Sequence, residues 1–194
     1  MFKFCPSCAS KKLAFYEGKV FRCPDCNFVY YHNIAAATGC LLVVPDHLQA
    51  KWSGKPEPDG EKLVFTVRGK EPALGKLDLP GGFVDIGEGV IEGLYREMQE
   101  EIGWVPPIPD VAKLYDVFKL FASFSNIYEY KGIKYNTCDM YFTVTAPGLK
   151  PEDFILEKDE IQAVFFLKPE EVDFSKLAFP STVKAVKSYL GILD

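Results

Sequence analysis

The sequence predicts an α+β fold, a mixed sheet with helices packed against it, preceded by a small cysteine-bearing hairpin. Three observations predict it. Strand-like segments outnumber helical ones and do not alternate with them regularly. A long amphipathic helical pattern runs from about Glu88 to Ile102. Four of the six cysteines fall into two C-x-x-C pairs near the N-terminus. With 194 residues, 48% of them hydrophobic, the chain can bury a core in one main domain behind that appendage.

The cysteine segment comes first. Cys5 and Cys8 form one pair, and Cys23 and Cys26 the other, with "KKLAFYEGKVFR" between them as a short hairpin turning at Glu17–Gly18. Pro6 and Pro24 sit inside the two knuckles, and Asn27 tolerates the left-handed conformation that such turns often require. Four thiolates at this spacing suit a closed tetrahedral Zn²⁺ site with no open position for chemistry, and residues 1–33 resemble a zinc ribbon. Ala9 departs from the commonest ribbon, which often has glycine after the first knuckle. The competing readings are a redox dithiol, which rarely comes in duplicate, and disulfides, which a cytosolic setting disfavours. Cys40 and Cys138 stand alone in apolar sequence and read as small buried hydrophobes.

The body, residues 34–194, opens with "IAAATGCLLVV", an apolar run suited to a buried strand. A polar stretch from Pro45 to Gly60 reads as an exposed loop, and "KLVFTVRG" (62–69) as a second strand. "LPGG" (79–82) breaks regular structure ahead of the long helix, in which Ile91, Leu94, Tyr95, Met98 and Ile102 recur at inward-facing spacing and Gly103 stands at the C-cap. Strand-like runs follow near 111–118, 126–130, 137–145 and 161–167. "FPSTVKAVKSYLGIL" (179–193) is a closing amphipathic helix with Pro180 and Ser181 near its start.

The long helix carries the chemistry. Glu97, Glu100 and Glu101 occupy positions i, i+3 and i+4, so they share one side of the helix, where like charges repel by a few tenths of a kcal/mol per pair. Hard carboxylate oxygens in this arrangement suit Mg²⁺ or Mn²⁺, which would offset the repulsion. The glycines at 81 and 82 allow close backbone approach, so a main-chain carbonyl can add a ligand. Arg96 can be held by neighbouring carboxylates, Glu92 lies four residues before it, and Glu88 at the helix start favours the positive end of the dipole. The bland alternative is a solvated helix whose glutamates keep it soluble.

From Gly82 the segment reads G-x5-E-x7-R-E-U-x-E-E-x-G-U, where U is a bulky apolar residue. Gly82, Glu88, Arg96, Glu97, Met98, Glu100, Glu101, Gly103 and Trp104 each fall in their slot. This pattern resembles the signature of the Nudix hydrolases, and with it a Nudix-type α/β/α sandwich. The resemblance implies metal-dependent hydrolysis of a pyrophosphate bond in a nucleoside diphosphate linked to another moiety. Glu97, Glu100 and Glu101 would carry the metals, with the Gly81 carbonyl as a further ligand. Arg96 would orient Glu97, and Glu88 would stabilise the loop–helix junction. Glu160, with Glu157 behind it, is the candidate general base on a later acidic loop, against the reading of ordinary loop charge. A homodimer is compatible with the family analogy.

A ribbon ahead of such a domain resembles the NADH pyrophosphatase branch. That branch's S-Q-P-W-P-F-P-x-S motif is replaced here by "KLFASFSNIYEYKGIKY" (119–135), and "FPS" at 179–181 echoes its end far downstream. The proline that marks many ADP-ribose pyrophosphatases beyond the box is also missing. Phe121, Phe124, Tyr128 and Tyr130 can stack on a base or pack across strands, and Arg68 can reach a phosphate or sit as an edge charge.

Charge bounds the partners. A net charge of −5 and a pI near 5.2 argue against nucleic acid and membrane surfaces, which select a basic face, and the ribbon offers only Lys3, Lys11, Lys12, Lys19 and Arg22. No apolar run approaches the roughly 18–20 residues of a membrane span, and "MFKFCPSCAS" lacks a leader's apolar stretch, so the expected location is cytoplasmic. A small-molecule nucleotide is the expected partner. The competing functions are a nucleotide-sensing regulator that uses the ribbon to contact nucleic acid or protein, and removal of nucleotide caps from RNA.

Overall fold

Two left-handed residues, Glu17 (φ 51°) and Gly18 (φ 66°), close the hairpin expected between the cysteine pairs in a computed structural model that describes residues 2–46, 60–108 and 111–193. The hairpin joins β1 (Ala14–Tyr16) to β2 (Val20–Arg22), and a strand the sequence did not announce, β3 (Val29–Tyr31), pairs with the other side of β2. Phe21 is buried at the centre of this small sheet and stacks on Phe15 with ring centroids 4.3 Å apart. Asn27 is left-handed (φ 58°), and so is Ala9 (φ 59°), at the position where glycine is commoner. An alanine there carries strain of about 1–2 kcal/mol. The chain divides into two compact units between Ile34 and Ala35.

The second unit is organised by β4 (Ala35–Pro45), whose side chains alternate between two buried faces. Cys40, Leu42 and Val44 belong to one apolar cluster, and Leu41 and Val43 to another. Burial on both faces explains why this strand reads as an unbroken apolar run. The remaining elements are β5 (Glu61–Arg68), β6 (Leu77–Asp78), α1 (Val90–Ile102), α2 (Leu114–Val117), β7 (Lys119–Tyr130), β8 (Ile133–Thr145), β9 (Ile161–Leu167) and α3 (Pro180–Tyr189), with short 3-10 turns between some of them. Strand order is β6-β5-β4-β8-β7, with β9 also paired to β5. The β4–β8 pair is parallel and the others antiparallel, so the sheet is mixed.

Among the described residues, α1 covers one face, with Leu114 of α2 in the same cluster, and α3 covers the other. Ile91, Leu94, Met98 and Ile102 of α1 pack with the Leu42 side of the sheet, while Ala185, Val186 and Tyr189 of α3 pack with the Leu41 side. Gly103 caps α1 in the left-handed conformation (φ 61°), and its N–H donates to the Gln99 carbonyl. The result is the α/β/α sandwich the sequence implied.

Two segments differ from expectation. Residues 111–117, expected as strand, form a 3-10 turn followed by α2. Among the described side chains, Leu114 and Phe118 just after it are buried, four apart, which is helical spacing. The runs near 126–130 and 137–145 are parts of two long strands, β7 and β8, which pair along almost their whole length. The loop expected from Pro45 to Gly60 lies largely outside the described residues. Among the described residues, no helix is long and apolar enough to cross a membrane.

Candidate active site and metal centre

The segment after "LP" is not a free loop. Thr38 N–H donates to the Gly82 carbonyl (2.8 Å), Cys40 N–H to the Pro80 carbonyl (2.9 Å), and Val84 N–H to the Ala36 carbonyl (3.1 Å), so residues 80–84 run along the first half of β4. Only glycine fits at 81. Its φ is 144°, and a Cβ there would lie 2.2 Å from the Thr38 carbonyl oxygen. A Cβ on Gly82 would lie 2.6 Å from the Glu97 carboxyl carbon, so the glycine pair brings backbone against the α1 carboxylates.

Arg96 joins this loop to the helix. Its Nε donates to Glu88 Oε1 (2.7 Å) and its Nη2 to Glu88 Oε2 (3.0 Å) and the Phe83 carbonyl (3.1 Å), while Nη1 donates to Glu97 Oε1 (2.9 Å) and Glu100 Oε2 (3.0 Å). Glu88, just ahead of α1, also accepts from the Asp85 N–H at 3.0 Å. Glu92, the other partner expected for Arg96, instead accepts from the Tyr115 hydroxyl.

The three glutamates do not share one environment. Glu97 and Glu101, one turn apart, line a cavity of about 350 Å³, whereas Glu100 lies off its lining with a 60% exposed side chain. Glu101 is buried and accepts from the Gly81 N–H at 2.9 Å. Burial pushes its carboxyl up to about 8, against the Gly81 hydrogen bond and aided by the charges of Glu97, Asp78 and Glu160. Burial likewise raises Glu97, with Arg96 opposing.

The rest of the cavity is assembled from distant sequence. Asp78 is held by Arg68 (Nη1 to Oδ2, 3.0 Å) and by the Thr182 hydroxyl (to Oδ1, 3.0 Å), and its pKa is raised by burial with Arg68 opposing. Asp139 on β8 accepts from the Thr137 hydroxyl (2.6 Å) and the Ser181 hydroxyl (2.7 Å). Tyr128 meets Phe83 (ring centroids 5.5 Å) and Phe179 (5.7 Å), and the Arg68 guanidinium lies 5.0 Å over the Phe179 ring. Glu160, at the rim, accepts from Lys70.

Of the residues the sequence singled out, Glu97, Glu101, Gly81, Arg68, Tyr128 and Glu160 therefore line one cavity. Phe121 lies elsewhere. Its ring meets Tyr141 (6.5 Å) and Tyr189 (5.9 Å) in the cluster beneath α3, which supports the packing reading for this side chain rather than a role in the cavity. Lys70, Phe83, Asp139, Phe179, Ser181 and Thr182 were not nominated. For Asp139 a signal existed, a lone carboxylate within an apolar strand. Phe179 and Ser181 belong to the "FPS" segment, the downstream echo of the branch's motif.

The donor set suits a divalent cation. Among the described lining residues, six carboxylates (Asp78, Asp85, Glu97, Glu101, Asp139, Glu160) face two basic side chains, Arg68 and Lys70, and Arg68 is paired. Hard oxygen ligands with excess negative charge fit Mg²⁺ or Mn²⁺.

In the N-terminal unit the four cysteine sulfurs all lie within 4.8 Å of one another, with Cys5–Cys26 at 3.6 Å and Cys8–Cys23 at 3.7 Å. A tetrahedral ion about 2.3 Å from each sulfur sets sulfur–sulfur separations of roughly 3.8 Å, so the cluster fits Zn²⁺. Asp25, in the second knuckle, accepts from Ser10 (2.6 Å) and Lys12 (2.9 Å) and ties the two halves together.

Comparison with known proteins bears on the family and the fold. The sequence profile of the NUDIX domain matches residues 56–187. A curated relative, the ADP-ribose pyrophosphatase of Methanocaldococcus jannaschii, is 39% identical over 54 residues, 28% of this chain and 32% of the relative, so the chain spans about a third of that protein's length. The crystal structure of a NUDIX hydrolase from Nitrosomonas europaea superposes with a TM-score of 0.61 at 23% identity, covering 98% of this chain and 91% of the other. The NUDIX domain of Shewanella oneidensis NrtR, complexed with ADP ribose, superposes with a TM-score of 0.57 at 16% identity, covering 81% and 87%. At these identities the structural likeness is one of fold.

Proposed function

The chain belongs to the NUDIX domain family, and from that premise we propose that it hydrolyses a pyrophosphate bond in a nucleoside diphosphate linked to another moiety, of the ADP-ribose type, with Mg²⁺ or Mn²⁺. The observation that carries the reading is the meeting, in one cavity, of the α1 carboxylates, buried Glu101 and half-buried Glu97, with an aromatic wall able to take a base. The name of the archaeal relative and the ligand of the Shewanella domain support the ADP-ribose type of substrate.

Glu97 and Glu101, with the Gly81 carbonyl, would hold the divalent ion, and Glu100, off the cavity lining and bonded to Arg96, would join them only by leaving that bond. When bound, that ion supplies neutralisation of pyrophosphate oxygens and a more acidic water. The chain's own residues do the positioning. Arg96 fixes Glu97 and, through Glu88, the glycine loop that faces it. Tyr128, Phe83 and Phe179 offer ring faces to the nucleobase, and their enclosure reduces the water available to competing reactions. Glu160, on the rim, accepts the proton of the attacking water, whose oxygen forms the new bond to phosphorus as the anhydride oxygen leaves. In the N-terminal unit, four thiolates would bind Zn²⁺ as a folding element with no open coordination position.

The test is incubation with ADP-ribose, dinucleotides, nucleotide sugars and nucleoside triphosphates in Mg²⁺ or Mn²⁺, with products resolved by chromatography. Conversion of ADP-ribose to AMP and ribose 5-phosphate, lost in Glu101→Gln, is the expected result. Binding of ADP-ribose without turnover of any member of the panel would replace the enzyme with a nucleotide sensor.

A further inference from the structure

The two basic side chains on the cavity lining are held differently. Arg68 is engaged from several sides: Nη1 on Asp78, Nε on the Pro72 carbonyl at 2.7 Å, and the guanidinium over Phe179. Its side chain is 14% exposed. Lys70 ends in solvent reach, 47% exposed, and its ammonium is paired with Glu160, itself 35% exposed. Such a pair is weak, because water screens it and two long side chains must be ordered to hold it. A linked diphosphate, with two negative charges and four non-bridging oxygens against the single charge of a carboxylate, competes for the same ammonium.

The backbones around this pair are clasped. Gly69 N–H donates to the Glu160 carbonyl at 2.6 Å, and a Cβ on Gly69 would lie 2.9 Å from the Glu160 carbonyl carbon. Arg68 N–H donates to the Lys76 carbonyl and Gly75 N–H to the Arg68 carbonyl, which closes the loop carrying Lys70 onto the end of β5. The side chains of Lys70 and Glu160 can therefore change partners while their loops stay together.

We infer that Lys70 is a phosphate-binding residue that exchanges partners, holding Glu160 in the free protein and moving to a phosphoryl oxygen of the bound nucleoside diphosphate, which releases the Glu160 carboxylate toward the attacking water. This rests on the pyrophosphatase reading for the role of Glu160, but the exchange itself is a statement about binding. Lysine suits it better than arginine at rest, because its flexible stem and point charge swing between partners without a fixed fork geometry.

The test is calorimetric titration of the full chain with inorganic pyrophosphate, with and without Mg²⁺, for wild type, Lys70→Met, Lys70→Arg and Glu160→Gln. Lys70→Met should weaken binding about tenfold, the usual scale for one charge-assisted hydrogen bond, and Lys70→Arg should restore most of it. Glu160→Gln should bind pyrophosphate more tightly than wild type, because the competing carboxylate charge is gone. A bridge with a merely structural role would weaken binding in both neutral variants. Unchanged affinity in Lys70→Met, weaker binding in Glu160→Gln, or no pyrophosphate binding by wild type each overturns the inference. These titrations read no turnover. The expected pattern in a protein that hydrolyses nothing would defeat the enzymatic reading and keep Lys70, and a working hydrolase with an indifferent Lys70→Met would do the reverse.

Discussion

Arg96 and Glu88 are joined by two hydrogen bonds, Nε to Oε1 at 2.7 Å and Nη2 to Oε2 at 3.0 Å, across the junction where the glycine loop becomes α1. The same guanidinium reaches the Phe83 carbonyl, Glu97 and Glu100, so one planar group sets the angle between loop and helix. Lysine keeps the charge and loses the fork. Arg96→Lys should lower stability by about 1–3 kcal/mol, read as a fall of roughly 2–10 °C in melting temperature for a chain of this size. Turnover should drop further, by about a hundredfold, because Glu97 is no longer fixed.

The neighbouring glycines separate stability from activity. In Gly81→Ala the new methyl meets backbone, 2.2 Å from the Thr38 oxygen, at a φ of 144° that alanine avoids. A loss of roughly 2–4 kcal/mol is expected by thermal or urea unfolding. In Gly82→Ala the methyl meets the Glu97 carboxyl, which can swing away. That variant should melt near wild type while its kcat falls, and similar losses of stability in both would contradict the assignment.

The buried carboxyl of Glu101 predicts a pH slope. Its folded pKa, about 8, lies above the ordinary 4.5, so the metal-free folded state holds a proton that the unfolded chain has released. Stability from this group is complete below about 4.5 and is lost as pH rises through 8, on the order of 1 kcal/mol per pH unit. Melting curves in buffer free of Mg²⁺ and Mn²⁺, with the zinc left in place, should fall by about 2–4 °C per unit between pH 5 and pH 8. Glu101→Gln should flatten that slope, and saturating Mg²⁺ should flatten it in wild type.

The cysteine unit predicts a metal stoichiometry. Purified protein should contain about one zinc per chain, and a strong chelator should unfold the three-stranded sheet, because few buried apolar groups besides Phe21 and Val20 hold it. Elemental analysis, followed by amide NMR of residues 2–34 with and without chelator, checks both. A zinc content well under one per chain, or a ribbon spectrum indifferent to chelation, would refute the site.

Aromatic residues divide by place. Phe179→Ala and Tyr128→Ala should raise KM about tenfold with a smaller change in kcat, the scale of one lost base stack. Phe121→Ala should leave KM unchanged and lower stability by about 2–3 kcal/mol, because its ring packs on Tyr141 and Tyr189. Steady-state kinetics beside melting curves for the three variants distinguish the roles.

What could be read beforehand follows from how local each signal is. The glycine loop, Glu88, Arg96 and the α1 carboxylates lie within one contiguous segment, where helical spacing and capping fix the geometry. The cysteine knuckles are equally local. Asp139, Ser181 and Lys70 reach the cavity only because β8 lies parallel to β4, α3 crosses the opposite face, and the Gly69 loop clasps the turn before β9. No short-range pattern encodes those approaches. Glu92 lies one turn before Arg96 yet bonds Tyr115, because Glu88 from the loop takes the better bidentate geometry. Residues 111–117 misled for another reason. An apolar-rich run of seven fits either period, and the buried spacing of Leu114 and Phe118 is visible only once the fold is known.

Ser181 and Thr182, at the start of α3, each supply a hydroxyl to a cavity carboxylate, and Phe179 beside them closes the aromatic wall. Synthesis runs from the N-terminus, so the glutamate helix leaves the ribosome long before these three residues exist. A nascent chain halted at Leu177 would carry the entire glycine–glutamate motif with one side of the cavity open and Asp78 and Asp139 each lacking a donor. The site thus has a birth order, and possession of the motif marks the beginning of its assembly, with the cavity closed only once α3 has been made.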